Sequence, residues 1–170
     1  MTQNQRERVS REAASKAGKC LKTSKGYDEQ ALATAQAWRV QHLEPTARCF
    51  EALARCAEQF EGAVVSYRLK RMTSILRKLL RLNSNFKLGT LDDIGGCRLI
   101  VRSVDEVYRA VAVLNEELGE PKVKDYISRP QSSGYRSYHA IYRIPEGGIS
   151  YRIEVQIRTH LQHLWATGVE

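Results

Sequence analysis

The 170-residue sequence predicts a mixed α/β domain in which an N-terminal helical pair precedes a mixed β-sheet flanked by helices. Two patterns predict this order. Apolar residues recur at helical spacing early in the chain, with Trp38 and Phe50 among them. Polar and apolar residues instead alternate through residues 150–158, which is typical of a half-buried strand. Residues 104–118 return to helical spacing, so we expect helices and strands to be interleaved there.

The elements follow in a definite order. Pro45 separates the first two helical runs, and Gly95-Gly96 precede a short apolar strand. Residues 129–134, which hold Pro, Gly and two Ser, indicate a loop, and the turn Pro145 to Gly148 joins the last two strands. We predict helices at residues 29–43, 46–61, 73–82, 104–118 and from Thr159 onward, and strands at residues 63–70, 97–102, 123–127, 136–144 and 150–158. In the last helix, we expect Leu161, Leu164 and Trp165 to face inward.

Composition indicates a soluble cytoplasmic protein. Apolar residues make up 42% of the chain, and no apolar run approaches the roughly 20 residues that cross a bilayer. The charged N-terminus does not resemble a secretory signal, and the four Cys lack the spacing of a zinc site. We expect three regions: a basic tail at residues 1–26, helices at 27–62, and the sheet-containing domain at 63–170.

Basic residues are concentrated in two segments of this chain, whose net charge is +8. Residues 1–26 carry seven basic and two acidic side chains, a composition also typical of a solvated tail. Residues 66–87 carry seven basic residues and no acid, next to apolar residues that must be buried. Repulsion within this segment is relieved by an anion such as a polyphosphate or a nucleic-acid backbone.

The second basic segment contains a candidate phosphate site. Arg68 and Lys70 point to the same side of an extended segment, and Ser74 and Lys78 lie one turn apart on a helix. Lysine charges, a hydroxyl donor and a stacking arginine suit a nucleoside triphosphate. An ordinary polar helix face is the alternative.

Two carboxylates are candidate metal ligands. Asp93 precedes Gly95-Gly96, where the backbone allows close approach, although Asp and Gly are also ordinary turn residues. Glu154 shares one strand face with Arg152, Gln156 and Arg158, although a solvated sheet face has the same pattern. Together, Asp93 and Glu154 suit Mg²⁺-assisted phosphoryl-type transfer.

A fourth group of residues suits recognition of a second substrate. Tyr135 follows Gly134 at the end of a loop, where its ring can stack on a base, and His139 follows four residues later. Lys122 and Lys124 precede them. Core or rim packing is the alternative for both Tyr135 and His139.

Four segments together resemble the synthetase domain of the RelA/SpoT alarmone synthetases, and most closely their toxin-type, CapRel-like members in phage defence. The segments are RLKRMTSILRKL, LDDIGGCRLIV, VKDYISRPQSSGYRSYH and EVQIRTHLQHLWA. The resemblance implies a nucleotidyltransferase-like sheet and an ATP-dependent pyrophosphokinase, which transfers pyrophosphate to a ribose 3′-hydroxyl while AMP leaves.

The resemblance also implies a role for each matching residue. Arg68 and Arg98 would sandwich the adenine of ATP, and Lys70, Ser74 and Lys78 would hold its phosphates. Asp93 would bind Mg²⁺, and Glu154 would activate the acceptor hydroxyl and touch the same ion. Tyr135 would stack on the acceptor base. The remaining expected site residues are Gln156 and Arg158, which would support the site, and Lys122, Lys124, Arg129 and His139, which would meet the acceptor.

The acceptor is less well defined by this resemblance. Many guanosine-alarmone synthetases have Asn where this chain has Ser133. We therefore expect a toxin-type enzyme that modifies the 3′ end of tRNA and inhibits translation, with a fused or separate antitoxin. The alternatives are a small synthetase making (p)ppGpp or (p)ppApp, and a catalytically silent RNA-binding domain. Because related domains continue with more helix, we also expect the C-terminus to be truncated.

Overall fold

The computed structural model describes residues 8–168. Three helices come first, and five strands and three further helices follow. The helices are α1 (Arg11–Thr23), α2 (Glu29–Gln41), α3 (Leu43–Ala57), α4 (Met72–Leu79), α5 (Val104–Leu118) and α6 (His160–Gly168). The strands are β1 (Val64–Leu69), β2 (Gly95–Val101), β3 (Lys122–Asp125), β4 (Tyr138–Glu146) and β5 (Ile149–Thr159), and a 3₁₀ turn at Leu88–Thr90 precedes β2.

The strands form one mixed sheet in the order β1-β2-β5-β4-β3. β2 and β5 are parallel neighbours at its centre, and every other pairing is antiparallel. The predicted mixed sheet flanked by helices is thus confirmed. The β4–β5 turn is shorter than expected, because Pro145 and Glu146 belong to β4, and Gly147 and Gly148 supply the two positive φ angles that a tight hairpin requires.

One face of the sheet is covered by helices α3 and α5, and the other carries polar side chains. Alternation in β5 sends Ile153, Val155 and Ile157 into the core. α3 packs closely on β2, since a Cβ at Gly95 would overlap the Thr46 hydroxyl. The polar face is therefore free to form a site.

The predicted basic tail is wrong for residues 11–23, which form helix α1; residues 1–7 of that tail lie outside the described residues. Ser10 caps this helix by accepting a hydrogen bond from the Ala13 amide at 3.1 Å. Ala14 and Leu21 are fully buried, and Gly18 lies against Leu88. The N-terminal region thus has three helices instead of a pair, because the apolar face of α1 belongs to the core.

The two predicted helices are present as α2 and α3, but they meet at His42 instead of Pro45. Pro45 lies in the first turn of α3, where a missing amide hydrogen costs nothing. Asp28 caps α2 through the Ala31 amide at 2.8 Å.

The inward orientation predicted for the last helix is wrong. Thr159 does cap α6, accepting a hydrogen bond from the Gln162 amide at 3.2 Å. The side chains of Leu161 and Leu164, however, are 77% and 66% exposed, and Trp165 is 42% exposed beside Gly134. Nothing else in residues 8–168 covers this side of α6. In that same part of the chain, no helix is long and apolar enough to cross a membrane.

Candidate active site

A row of polar side chains crosses the exposed face of the sheet. Residues that pair across neighbouring strands share a face, and the register aligns one residue from each strand. In sheet order, they are Ser66, Arg98, Gln156, His139 and Lys124. The adjacent row places Arg68 beside Gly96 and Gly96 beside Glu154. Because Gly96 has no side chain, space remains between Arg68 and Glu154.

This space is a cavity of about 380 Å³. It brings together eight of the residues that the sequence singled out: Arg68, Lys70, Asp93, Arg98, Lys124, His139, Glu154 and Gln156. Lys78 does not line the cavity, but its ammonium group donates a hydrogen bond to Asp93, which does. Ser74, Lys122, Arg129, Tyr135 and Arg158 do not line it.

The carboxylate of Asp93 is held by two ammonium groups. Lys70 Nζ donates to Oδ2 at 2.7 Å, and Lys78 Nζ donates to both oxygens at 3.0 Å. Burial raises the pKa of Asp93, but the hydrogen bonds and charges of the two lysines outweigh burial, so the pKa falls below the ordinary 3.8. Asp93 is therefore ionised at neutral pH.

Glu154 lies in the middle of β5 and is held by its neighbours in the sheet. His139 Nδ1 lies 3.2 Å from Oε1, and Gln156 Nε2 donates to Oε2 at 3.0 Å. Burial raises the pKa of Glu154, but the interactions with His139 and Gln156 outweigh burial, so the pKa falls below the ordinary 4.5. Glu154 is therefore ionised at neutral pH, and its two partners fix its position on the sheet.

Asp93 and Glu154 interact through space across the cavity. The negative charge of Asp93 raises the pKa of Glu154 and so opposes the lowering by His139. Mg²⁺ is commonly bound by one or two carboxylates together with substrate phosphates. Within residues 8–168, no cluster of three or more His, Cys, Asp or Glu side chains that could hold a metal ion exists. Asp93 and Glu154, which line the same cavity, are the type of oxygen donor that suits Mg²⁺ and would hold such an ion.

The β1 end of the cavity is cationic. Lys70 is fixed beside Asp93 because its amide donates to the Ile94 carbonyl at 2.8 Å, which extends the pairing of β1 with β2. Arg98 donates to Gln156 Oε1 at 3.3 Å, whereas Arg68 is exposed. An anionic ligand entering here meets Arg68, Arg98 and Lys70.

The β3 end of the cavity is aromatic. The Tyr135 hydroxyl lies 2.9 Å from His139 Nε2, and the Tyr126 ring stands edge-on to His139 with centroids 5.2 Å apart. Burial raises the pKa of the Tyr135 phenol, so this group is neutral and can share a proton with His139. Stacking of Tyr135 on an acceptor base stays a prediction.

The other predicted acceptor and support residues lie around this aromatic end. Lys122 Nζ donates to Asp92 Oδ2 at 3.1 Å, and Lys124 Nζ lies 4.0 Å from the same oxygen. Arg129 is exposed on the loop. Arg158 is only 1% exposed, and it forms no ion pair with a carboxylate of residues 8–168. Its charge acts on Tyr135, which is consistent with a supporting role.

Five further residues line the cavity without a predicted role in the site: Ser66, Tyr67, Cys97, Tyr126 and Gln131. Alternation could have found two of them. Ser66 precedes Arg68 by two positions on β1, and Tyr126 follows Lys124 by two positions. No local signal marks Gln131, which reaches the cavity because of the path of its loop.

Comparison with known proteins identifies the family. Residues 67–170 match the region found in RelA / SpoT proteins. "GTP pyrophosphokinase YwaC" of Bacillus subtilis is 36% identical over 110 residues, which cover 59% of this chain and 52% of that protein. The chain thus spans about half the length of this curated relative.

Solved structures share the fold. The small alarmone synthetase 1 of Bacillus subtilis bound to its product pppGpp aligns with a TM-score of 0.66 and 26% identity, covering 79% of this chain and 78% of that one. The same protein bound to AMPCPP aligns with a TM-score of 0.55, also at 26% identity, covering 79% and 76%. Because the family match extends over more than half of the sequence and includes every residue lining the cavity except Ser66, this chain belongs to the RelA/SpoT family.

Proposed function

We propose that this protein is an ATP-dependent pyrophosphokinase that transfers the β,γ-pyrophosphate of ATP to the 3′-hydroxyl of a guanosine nucleotide. One observation carries the proposal: two ionised carboxylates, Asp93 and Glu154, line a single cavity between a cationic end and an aromatic end. Such a cavity suits two nucleotides, one held by its phosphates and the other by its base.

The relatives support the choice of nucleotides. The similar synthetase binds pppGpp as its product and also binds AMPCPP, an analogue of ATP. In this chain, ATP occupies the β1 end, where Lys70 and Lys78 bind its phosphates and Arg68 and Arg98 hold its adenine. GDP or GTP occupies the β3 end, where Tyr135 or Tyr126 stacks on the guanine. Ser74, Lys122, Arg129 and Arg158 complete the two subsites.

The reaction follows from the positions of the two carboxylates. Glu154 accepts the proton of the 3′-hydroxyl, and the 3′-oxygen forms a bond to the β-phosphorus. The bond from that phosphorus to the oxygen bridging to the α-phosphate breaks, and AMP leaves with the electron pair. Asp93 and Glu154 would hold Mg²⁺, which supplies neutralisation of the phosphate charges.

The lysines have two partners in this proposal. In the structure, the ammonium groups of Lys70 and Lys78 bind Asp93. When ATP enters, they bind its phosphates instead. Asp93 would then be free of both lysines and would hold the metal ion. His139 and Gln156 keep Glu154 oriented throughout, since both belong to the sheet.

The toxin-type alternative uses the same chemistry on a different acceptor. The 3′ end of tRNA also carries a ribose hydroxyl, so the cavity geometry alone admits it. A partner antitoxin belongs to this alternative. The relatives favour a nucleotide acceptor, because this chain is similar to a GTP pyrophosphokinase and to a small alarmone synthetase.

Radiolabelled ATP tests the proposal and its alternative together. The protein is incubated with Mg²⁺, with ATP labelled at the γ- or the α-phosphate, and with GDP, GTP, ADP or deacylated tRNA. We expect γ-label in the guanosine product and an equal amount of α-label in AMP. Release of ADP would contradict pyrophosphoryl transfer, and label in tRNA alone would select the toxin-type reaction.

Matched variants identify the residues responsible for transfer. Glu154→Gln removes the proton acceptor while keeping its shape, and Glu120→Gln makes the same change at an exposed position outside the cavity. We expect the first to abolish transfer and the second to keep the wild-type rate. No transfer by the wild-type protein to any acceptor would leave only a nucleotide- or RNA-binding role.

A further inference from the structure

A second cavity lies between α1 and the segment that follows α4, outside the proposed active site. Its volume is about 470 Å³. We name it the lysine groove, after Lys16, Lys19, Lys22 and Lys87, which line it together with Phe86. The first three lysines recur every third residue of α1 and so lie along one face of that helix.

The lysine groove is built from fixed walls. Lys22 Nζ donates to the carbonyls of Ser84 and Phe86 at 2.9 and 2.7 Å, which ties the segment after α4 to α1. Below it, Gly18 allows α1 to approach Leu88 so closely that an added Cβ would lie 2.9 Å from the Leu88 Cβ. The groove is therefore preformed.

The charge of the lysine groove has no carboxylate partner among the residues that the structure describes. Within residues 8–168, no acidic side chain lines the groove, and no carboxylate lies within 4.0 Å of the ammonium groups of Lys16, Lys19 or Lys87. Because these ammonium groups repel one another, an anion that bridges them is bound favourably. A ligand with several phosphates spaced along a chain fits a row of lysines better than a single phosphate does.

Phe86 adds an aromatic surface to this charge. The residue is 42% exposed, and Lys78 Nζ lies 4.8 Å from its ring centroid on one side. Aromatic rings beside a cationic groove are typical of proteins that bind unpaired nucleic-acid strands, because a base stacks on the ring while lysines follow the backbone. An acidic peptide offers the charge without the flat ring, and a membrane surface does not enter a concave groove.

We propose that the lysine groove binds a single-stranded polynucleotide, with Lys16, Lys19 and Lys87 on its phosphates and Phe86 against a base. The site adjoins the β1 end of the active-site cavity, because Lys78 contacts both Phe86 and Asp93. It is distant in the sheet order from β3, where the proposed acceptor lies. Binding here does not depend on pyrophosphoryl transfer.

Fluorescence anisotropy with labelled 12-residue RNA and DNA oligonucleotides tests the proposal. Each oligonucleotide carries a 3′-phosphate, so it has no acceptor hydroxyl, and the protein carries Glu154→Gln to prevent transfer. Two double variants are compared. Lys16→Gln/Lys19→Gln removes two charges of the lysine groove, and the control Arg109→Gln/Arg143→Gln removes two exposed charges elsewhere. Circular dichroism verifies that both variants are folded.

We expect the lysine variant to lower the slope of log affinity against log salt by about 1.4, with no change in the control. Phe86→Leu should weaken binding at least about fivefold through lost stacking. Tighter binding of RNA or of DNA identifies the natural class. Equal slopes in the two double variants, no oligonucleotide binding by the parent protein, or lysine-dependent binding to anionic phospholipid vesicles alone would overturn the proposal.

Discussion

Asp93 and Glu154 line the same cavity, but different kinds of partner hold them. Asp93 lies in a loop and is held by two lysine ammonium groups, one from Lys70 just after β1 and one from Lys78 in α4. Glu154 lies in the central strand and is held by His139 and Gln156, which are fixed by the register of the sheet. The partners of Asp93 can move to a substrate phosphate, whereas those of Glu154 cannot leave. We infer that Asp93 becomes available when the nucleotide binds and that Glu154 is preorganised.

Removing the preorganised carboxylate should have the largest effect. We expect Glu154→Gln to lower the transfer rate about 10²–10⁴-fold, the range for a lost general base, with little change in ATP affinity. Single-turnover kinetics and calorimetric titration with AMPCPP measure the two quantities. A proportional loss of AMPCPP affinity would place Glu154 in donor binding instead.

Removing the lysine-bound carboxylate should change both the transfer rate and its dependence on Mg²⁺. We expect Asp93→Asn to lower the transfer rate about 10²–10³-fold, because charge stabilisation through the metal ion is lost. It should also change the Mg²⁺ concentration that gives half-maximal rate, which Glu146→Gln, a change outside the cavity, should leave unaltered. An unchanged Mg²⁺ dependence would contradict a metal role for Asp93.

His139 tests how firmly Glu154 must be held. His139→Leu should lower the transfer rate about 10–100-fold, as loss of an orienting partner does. His139→Asn can place an amide donor near the position of Nδ1, so it should recover part of that loss. If the two variants are equally slow, His139 acts on the acceptor and not through Glu154.

The two carboxylates also predict how stability depends on pH. In the folded state, the pKa values of Asp93 and Glu154 lie below their ordinary values of 3.8 and 4.5. The ionised carboxylates therefore stabilise the folded state fully above the ordinary pKa values, and this stabilisation is lost as the pH falls through the folded-state pKa values. Thermal unfolding should therefore show a steeper loss in acid for wild type than for Asp93→Asn. Parallel curves would show that the lysine contacts of Asp93 do not stabilise the folded state.

The smallest effect should come from the exposed side of α6. Leu161 is 77% exposed, so Leu161→Gln should change the free energy of unfolding by less than about 0.5 kcal/mol. Urea unfolding measures this change. A loss of 2 kcal/mol or more, as large as that for a buried leucine, would restore the inward orientation that the sequence predicted.

Local signals explain which parts of the fold the sequence could predict. Helix α5 has the predicted bounds because Ser103 caps its start, accepting from the Glu106 amide at 3.2 Å, and Gly119 ends it with φ +83°. β5 was recognisable from its alternation. Helix α1 was missed because its lysines dominate the composition, although Ala14, Ala17 and Leu21 already share one face.

The parts that depend on tertiary contacts could not be predicted. Most of the residues that line the cavity belong to the four segments recognised in the sequence. Gln131, however, lines the cavity because of the path of its loop, and Lys78 binds Asp93 from a separate helix. The spacing of apolar residues in α6 predicts an apolar helix face, but it does not show whether another part of the protein packs on that face. Exposure of Leu164 is thus a property of the assembled fold.

A double-mutant cycle tests the central claim most directly, namely that Asp93 and Glu154 act together on one nucleotide-bound metal ion. The single-turnover transfer rate from ATP to GDP is measured for wild type, Asp93→Asn, Glu154→Gln and the double variant. If the two carboxylates act as a unit, the double variant should be within about threefold of the slower single variant. A double variant slowed by the product of the two single effects would show that they act independently, and would contradict this account.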